Sequence, residues 1–346
     1  MPQHTASIGR GGNGAVFLVR RRGSPPDSIK FAEKRAHKLC VTPCPARSDA
    51  ALTAPCRTTD LTREAEIHRL CADCPFITKL VEFYDSCGPG SQQHLIMELM
   101  EGGDLMHDVL LLRKEMYMDS GAGTLWMTDA EVRIVTWRVL KALQFMHSLS
   151  PDGSSVLHRD LKPDNIMLAL RGPDGCGDCA SAKVADLGHA KELVGVSQTY
   201  TSSGIGTVEY MPPEIAAAIL QNREIGHNKA LDMWTVGVLV FVCFMQEFPF
   251  GFAGDANNPH RQFMMTEIRK RVLSQGLQGT GPEALRELFP PGSPKAALLE
   301  QRNPHGRVLM QMLMQREPAQ RWRVEDALSS PWFAGIEEEQ GAGSEQ

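Results

Sequence analysis

Several absences narrow the reading of this 346-residue chain. Basic residues are not in excess: 36 Lys and Arg stand against 41 Asp and Glu, giving a formal net charge of −5 and a pI near 6.1. A general nucleic-acid binder needs a basic footprint, so no nucleic-acid partner is expected. No apolar run is long enough to span a bilayer. The longest, Met233 to Met245, follows Asp232 and reads as a helix buried on all sides. Met1 to Gly14 carries no apolar stretch, so no secretory leader is expected, and no internal repeat is present. The nine cysteines, an odd number, read as free thiols of a reducing compartment, and a cytoplasmic location, with nuclear access left open, is the expectation. Cys71-x-x-Cys74 and Cys176-x-x-Cys179 have metal-like local spacing, but neither has a partner pair at finger-like distance.

What is there is ordinary globular material, 42% hydrophobic and 22% charged, long enough for two fused lobes. Residues 6–34 predict a short strand ending at Ile8, a glycine loop, a strand from Ala15 to Arg22, a turn at Gly23 to Asp27 and a strand from Ile29 to Lys34. Residues 35–59, interrupted by Pro43, Pro45 and Pro55, read as a loop insertion. A helix follows, capped by Asp60, with Glu64 early and Ile67 and Leu70 on its apolar face. Phe76 to Phe83 and His94 to Leu99 complete a small antiparallel lobe ending near residue 99. Beyond residue 102 the pattern is helical. Thr128-Asp129-Ala130-Glu131 is a capping-box sequence that opens a helix with Val132, Val135, Val139, Leu143 and Met146 on one stripe. Asp119 to Gly123 and Arg171 to Cys179 read as mobile glycine-rich insertions, and residues 336–346 as an acidic, disordered tail.

The chemistry is concentrated in three segments. His158-Arg159-Asp160-Leu161-Lys162-Pro163-Asp164-Asn165 fills every fixed position of the pattern H-R-D-L-x-x-x-N, and Asp186-Leu187-Gly188 follows a strand-like stretch downstream. Ile8-Gly9-Arg10-Gly11-Gly12-Asn13-Gly14-Ala15-Val16 contains G-x-G-x-x-G-x-V and leads into a strand rather than a helix, unlike a dinucleotide-binding turn. Together these motifs resemble the eukaryotic-type protein kinase family over about residues 6–335. The lysine two positions after Asp160 is similar to the serine/threonine branch, and Arg63-Glu64-Ala65-Glu66-Ile67-His68 gives a weak likeness to calcium/calmodulin-dependent kinases.

The resemblance implies an α+β, bilobal fold: a β-rich N-lobe with one helix over about 6–99, then a hinge and a mainly helical C-lobe over about 100–335. It implies ATP and Mg²⁺ as cofactors and transfer of the γ-phosphoryl group to protein Ser/Thr hydroxyls. A serine hydroxyl is a weak nucleophile, so a carboxylate must orient it and take its proton, the role implied for Asp160. Lys162 would neutralise the moving phosphoryl group. Asn165 and Asp186 would bind the metal, hard oxygen donors for a hard cation. Ile8, Gly9, Arg10, Gly11, Gly12, Asn13, Gly14 and Val16 would form the nucleotide cradle, where glycine amides close over phosphates without side-chain obstruction. Within Phe31-Ala32-Glu33-Lys34, Ala32 would line the pocket and Lys34 would contact the α/β-phosphates. The partner of Lys34 would be Glu64, with Glu66 the alternative. In the linker Met97 would be the gatekeeper, and the backbone of Glu98 and Met100 would meet adenine. Asp104 would bind ribose or a basic substrate side chain, or simply cap a helix.

Further roles implied are structural: Glu214 paired with Arg321, Asp232 anchoring the catalytic loop, and His158 packed beneath it. The implied partners are protein substrates, with Asp104 and Asp164 placed to favour Arg before the target residue, and an upstream activating kinase. Thr199-Tyr200-Thr201-Ser202-Ser203 is dense in hydroxyls, with Arg159 and Lys191 as cations for a phosphate. The competing reading is a pseudokinase scaffold that keeps the fold without the reaction.

Overall fold

The chain reverses at its first glycine cluster, and an antiparallel sheet grows from that reversal. The computed structural model describes residues 3–11, 14–21, 23–25, 28–37, 61–86, 92–117, 127–149, 155–193, 199–201, 206–254, 258–275 and 303–337. The chain divides into two compact units, Met1–Asp73 with Ile77–Met100, and Cys74–Phe76 with Glu101–Gln346. Gly12, Asn13, Asp60, Ser202, Ser203, most of the 35–59 insertion, the Asp119–Gly123 stretch and nearly all of the acidic tail lie outside the described residues.

In the first unit β1 (Gln3–Gly11), β2 (Gly14–Arg20), β3 (Lys30–His37), β4 (Leu80–Asp85) and β5 (Gln92–Glu98) form one antiparallel sheet ordered β1-β2-β3-β5-β4. The first strand does not stop at Ile8. It runs on with Gly9 opposite Val16, Arg10 opposite Ala15 and Gly11 opposite Gly14. The β-forming run Ala15 to Val19 supplies a template that the glycines follow. The strand expected from Phe76 starts instead at Leu80, because the Phe76 carbonyl accepts from Val184 N at 2.9 Å and belongs to the second unit.

Helix α1 (Thr62–Leu70) packs on this sheet through Ala65, which shares a core with Ala36, Leu61 and Leu95, flanked by Leu80, Phe83 and Met97. Small side chains at 36 and 65 let helix and sheet approach closely. Ile67 is fully buried as expected, but Leu70 is 46% exposed. Leu70 sits one turn beyond exposed Glu66, so it falls on the solvent face.

The second unit is mainly helical. A π-helix, Met106–Leu111, runs into α2 (Leu112–Tyr117), followed by α3 (Asp129–His147), α4 (Pro213–Leu220), α5 (Lys229–Met245), α6 (Arg261–Gln275), α7 (Pro304–Leu313) and α8 (Val324–Leu328). Thr128 and Glu131 close a reciprocal capping box on α3, and the Val132/Val135/Val139/Leu143/Met146 stripe is buried. Helix α5 is buried from Leu231 to Met245. No described helix is long and apolar enough to cross a membrane. Short strands decorate the helices: β6 (Gly103–Asp104), β8 (Ile166–Leu168) and β9 (Ala182–Val184) form one sheet, β7 (Ser155–Leu157) pairs with β10 (Lys191–Leu193), and β11 (Thr199–Thr201) with β12 (Ile225–His227).

The Arg171–Cys179 insertion is packed rather than loose. Gly172 N donates to Cys176 O at 2.8 Å, Asp178 N to Leu170 O at 2.9 Å, and both cysteines are buried. Their free thiols are the insertion's apolar anchors. Arg113 pins it from outside, bridging Glu131 at 2.8 Å and Asp174 at 3.0 Å.

Candidate active site

The loop from His158 to Asn165 is shaped from beneath by one buried carboxylate. Asp232, in the first turn of α5, accepts from His158 N at 3.0 Å and Arg159 N at 2.9 Å, and its Oδ2 also meets His147 Nε2 at 2.9 Å. Burial disfavours the charged form of Asp232, but these donors outweigh it and keep its pKa low. Arg159 is left-handed at φ 68°, a conformation that costs a non-glycine residue about 1 kcal/mol and persists because the Asp232 bonds hold it. The fully buried His158 donates from Nε2 to the Ala185 carbonyl at 3.0 Å and accepts from Asp160 N at 3.3 Å on Nδ1. That pair of partners fixes its tautomer.

On this base Asp160 is 5% exposed and surrounded by donors. Lys162 Nζ lies 3.1 Å from Oδ2 and donates to Thr207 Oγ1 at 2.9 Å; Thr207 in turn donates to Oδ1 at 3.0 Å. Asn165 Nδ2 donates to the Asp160 carbonyl at 2.8 Å and to Oδ2 at 3.3 Å. His189 Nδ1 lies 3.4 Å from Oδ2. Burial alone would raise the carboxyl's pKa, but the contacts from His189 and Lys162 outweigh it and bring it to about 2. Asp160 is therefore a fixed, ionised acceptor at neutral pH. Thr207 and His189 were not among the expected catalytic residues. His189 had a sequence signal in its place directly after Asp186-Leu187-Gly188, whereas the Thr207 contact spans 47 positions.

Asp186 also sits in the left-handed region, φ 55°, where its Oδ1 accepts from Gly188 N at 3.3 Å and caps the short turn Leu187–His189. Asn165 spends its NH₂ on Asp160, which turns its amide oxygen away from that residue. No group of three or more His, Cys, Asp or Glu among the described residues could hold a metal by itself. One carboxylate and one amide oxygen do fit Mg²⁺ of the kind completed by substrate phosphates and water.

In the first unit Lys34 Nζ donates to both carboxylate oxygens of Glu64, at 2.9 and 2.8 Å, with both residues buried. Glu66 points to solvent and lies 3.6 Å from Arg63. Lys34 stands opposite Val16 and Leu95, and Ala32 opposite Leu18 and Met97, so these residues share neighbouring rungs of the sheet. Ile8 is half exposed. Glu98 N is spent on the Lys79 carbonyl at 3.0 Å, and Met100 is buried. Glu33, between Ala32 and Lys34, is fully buried against His94 at 2.6 Å and Arg35 at 2.8 Å.

Asp104 acts as a helix cap. Its Oδ1 accepts from His107 N at 2.8 Å, and the His107 ring lies 3.0 Å away. Burial raises its pKa and the His107 bonds oppose the rise. Farther along, Arg321 forms a bidentate pair with Glu214 at 2.8 and 2.6 Å.

The sequence profile of the family described as protein kinase domain matches residues 3–333. The chain belongs to the protein kinase family. Its relatives are serine/threonine kinases. It is 26% identical over 336 residues to human ribosomal protein S6 kinase alpha-4, covering 95% of this chain and 35% of that protein. It is 24% identical over 272 residues to human MAP kinase-activated protein kinase 2, covering 78% of this chain and 56% of the relative. It is also 29% identical over 195 residues to protein kinase C-like 1 of Caenorhabditis elegans, covering 56% of this chain and 22% of that protein. The chain thus spans only a third to about half of the length of the first two. The family has the bilobal kinase fold, and the sheet-rich unit and the helical unit of this kinase are its N-lobe and C-lobe.

Proposed function

We propose that this kinase domain is catalytically competent and transfers the γ-phosphoryl group of Mg²⁺-ATP to serine or threonine hydroxyls of proteins. One observation carries the reading: Lys162 and Thr207 converge on an ionised Asp160. A scaffold that had abandoned the reaction has no use for a buried charge held by four neighbouring side chains, because idle buried charge is costly.

In the reaction Asp160 accepts the hydroxyl proton as the substrate oxygen bonds to the γ-phosphorus. The bond to the β-bridging oxygen breaks, and ADP departs with that electron pair. Lys162 offsets charge on the transferring group, and Thr207 keeps Lys162 and Asp160 in register. Lys34, held by Glu64, is assigned to the α/β-phosphates. Asn165 and Asp186 would hold Mg²⁺, which screens the phosphates so that a nucleophile can approach.

Two finer assignments belong to the same reading. Exposed Asp164 favours substrates with a basic residue before the target, by charge-assisted pairing, while Asp104 is engaged with His107. Phosphorylation by an upstream kinase within Thr199–Ser203 raises activity: Thr199 pairs in register with His227, near which Arg159 and Lys191 supply positive charge that Asp232 partly offsets. Buried free thiols fit a reducing compartment such as the cytoplasm.

The test is transfer of label from ATP with Mg²⁺ to generic protein substrates, wild type beside Asp186→Ala, with phosphoamino-acid analysis of the product. Phosphoserine or phosphothreonine made by wild type and not by the variant supports the reading. Equal, background-level labelling by both refutes it.

A further inference from the structure

The two oxygens of Asp160 are unequally occupied. Oδ2 receives nitrogen from three directions: Lys162 at 3.1 Å, Asn165 at 3.3 Å and His189 at 3.4 Å. Oδ1 meets only the Thr207 hydroxyl among these groups, at 3.0 Å. Beside it the chain passes as Gly206, φ +86°, where a Cβ would lie 3.5 Å from Oδ1 and 2.8 Å from the Arg159 carbonyl. Space next to Oδ1 is therefore kept clear by a residue without a side chain.

We propose that His189 is a positioning residue: carried on the Leu187–His189 turn, its ring holds Oδ2 of Asp160 and so presents Oδ1 to the substrate hydroxyl. The inference rests on the reading of Asp160 as the proton acceptor. It follows from how firmly the backbone that carries the ring is mounted. Asp186 caps the turn at one end, Leu187 is 1% exposed, and the His189 carbonyl accepts from Arg159 Nε at 2.7 Å. Loop and turn thus hold each other reciprocally: Arg159 fixes the His189 backbone, and the His189 ring fixes the carboxylate of the residue after Arg159. Lys162 cannot do this alone, since it is shared with Thr207 and is assigned to the transferring phosphoryl group. His189 carries no second assignment. Its depressing effect on the Asp160 pKa agrees with a contact to the ionised carboxylate. The arrangement also ties the metal-binding candidate Asp186 to the proton acceptor, since only Leu187 and Gly188 separate it from His189.

His189→Leu removes the donor while keeping apolar bulk, and His189→Asn keeps an N–H₂ near the Nδ1 position. With Mg²⁺-ATP and a serine peptide, the leucine variant is expected to lose about tenfold in kcat, with both KM values within twofold of wild type. The asparagine variant is expected to recover at least a third of wild-type kcat. A leucine variant with wild-type kcat, a loss confined to KM, or an asparagine variant as slow as leucine overturns the proposal. If the leucine variant does not fold, His189→Ala replaces it under the same criteria. Asp160→Asn in the same assay separates the two ideas, since its full activity sinks the base assignment itself. A readout independent of turnover uses ¹⁵N-histidine-labelled protein, in which Asp160→Asn is expected to move the His189 Nδ1 resonance. An unmoved resonance overturns the contact even if no variant turns over.

Discussion

Glu64 and Glu66 differ by two positions and by everything that matters to Lys34. Glu64 is buried with both oxygens on the ammonium, whereas Glu66 is exposed beside Arg63. Removing Glu64 takes the bidentate carboxylate from a buried lysine; removing Glu66 loses a solvent-screened pair of little value. Glu64→Ala is expected to lower kcat/KM for ATP by at least tenfold, and Glu66→Ala to stay within twofold of wild type, in steady-state assays run side by side. A second residue-scale prediction concerns pH. His227 is buried, and burial first, then the positive charge of Arg159, brings its pKa from the usual 6.5 to about 4. The unfolded chain takes up a proton on this histidine below pH 6.5, while the folded chain resists until about pH 4. Stability therefore falls as pH drops through that window, by something on the order of 2 kcal/mol from this group. Urea midpoints at pH 7.5 and 4.5 are expected to differ more in wild type than in His227→Gln; an equal difference would remove His227 from the account. His189 could have been suspected from its place after Asp186-Leu187-Gly188. No local pattern announces that its ring reaches Asp160, because the contact depends on two left-handed residues, Arg159 and Asp186, which side-chain patterning does not encode.

Among the elements, legibility tracked the strength of the local signal. Helix α3 was readable because a capping box and an apolar stripe coincide, and α5 because an uninterrupted apolar run has only the interior to occupy. Leu70 was misread because a nine-residue helix has too few turns to fix its buried face by pattern alone. The 171–179 insertion was misread as loose because its glycines dominate the composition, while its anchors are two cysteines and a distant arginine. Helix α5 also makes a test of close packing. A Cβ on Gly237 would lie 2.5 Å from Met314 Cγ and 3.1 Å from Leu313 Cβ, at the end of α7. Helix propensity alone would make Gly237→Ala stabilising by about 1 kcal/mol. Overpacking reverses the sign, so thermal denaturation is expected to show a net loss of about 1–3 kcal/mol. A higher melting temperature would mean that α5 and α7 are less tightly fitted than described.

At the scale of the whole molecule, the motifs identify a protein kinase domain, and the proposed turnover rests on how its side chains are set. The features that argue for turnover lie in the C-lobe unit: Asp232 sets the catalytic loop, Lys162 and Thr207 orient Asp160, and Asp186 is poised on a capped turn. The Lys34–Glu64 pair supplies the corresponding feature of the N-lobe unit. A kinase fold kept for binding alone would tolerate the loss of Asp160's charge, and a working enzyme would not. The most direct measurement is therefore single-turnover transfer from Mg²⁺-ATP to a serine-containing protein by Asp160→Asn, alongside its ATP affinity by calorimetry. The account predicts ATP affinity within threefold of wild type and transfer reduced at least a hundredfold; transfer at the wild-type rate, or no transfer by wild type itself, would contradict it.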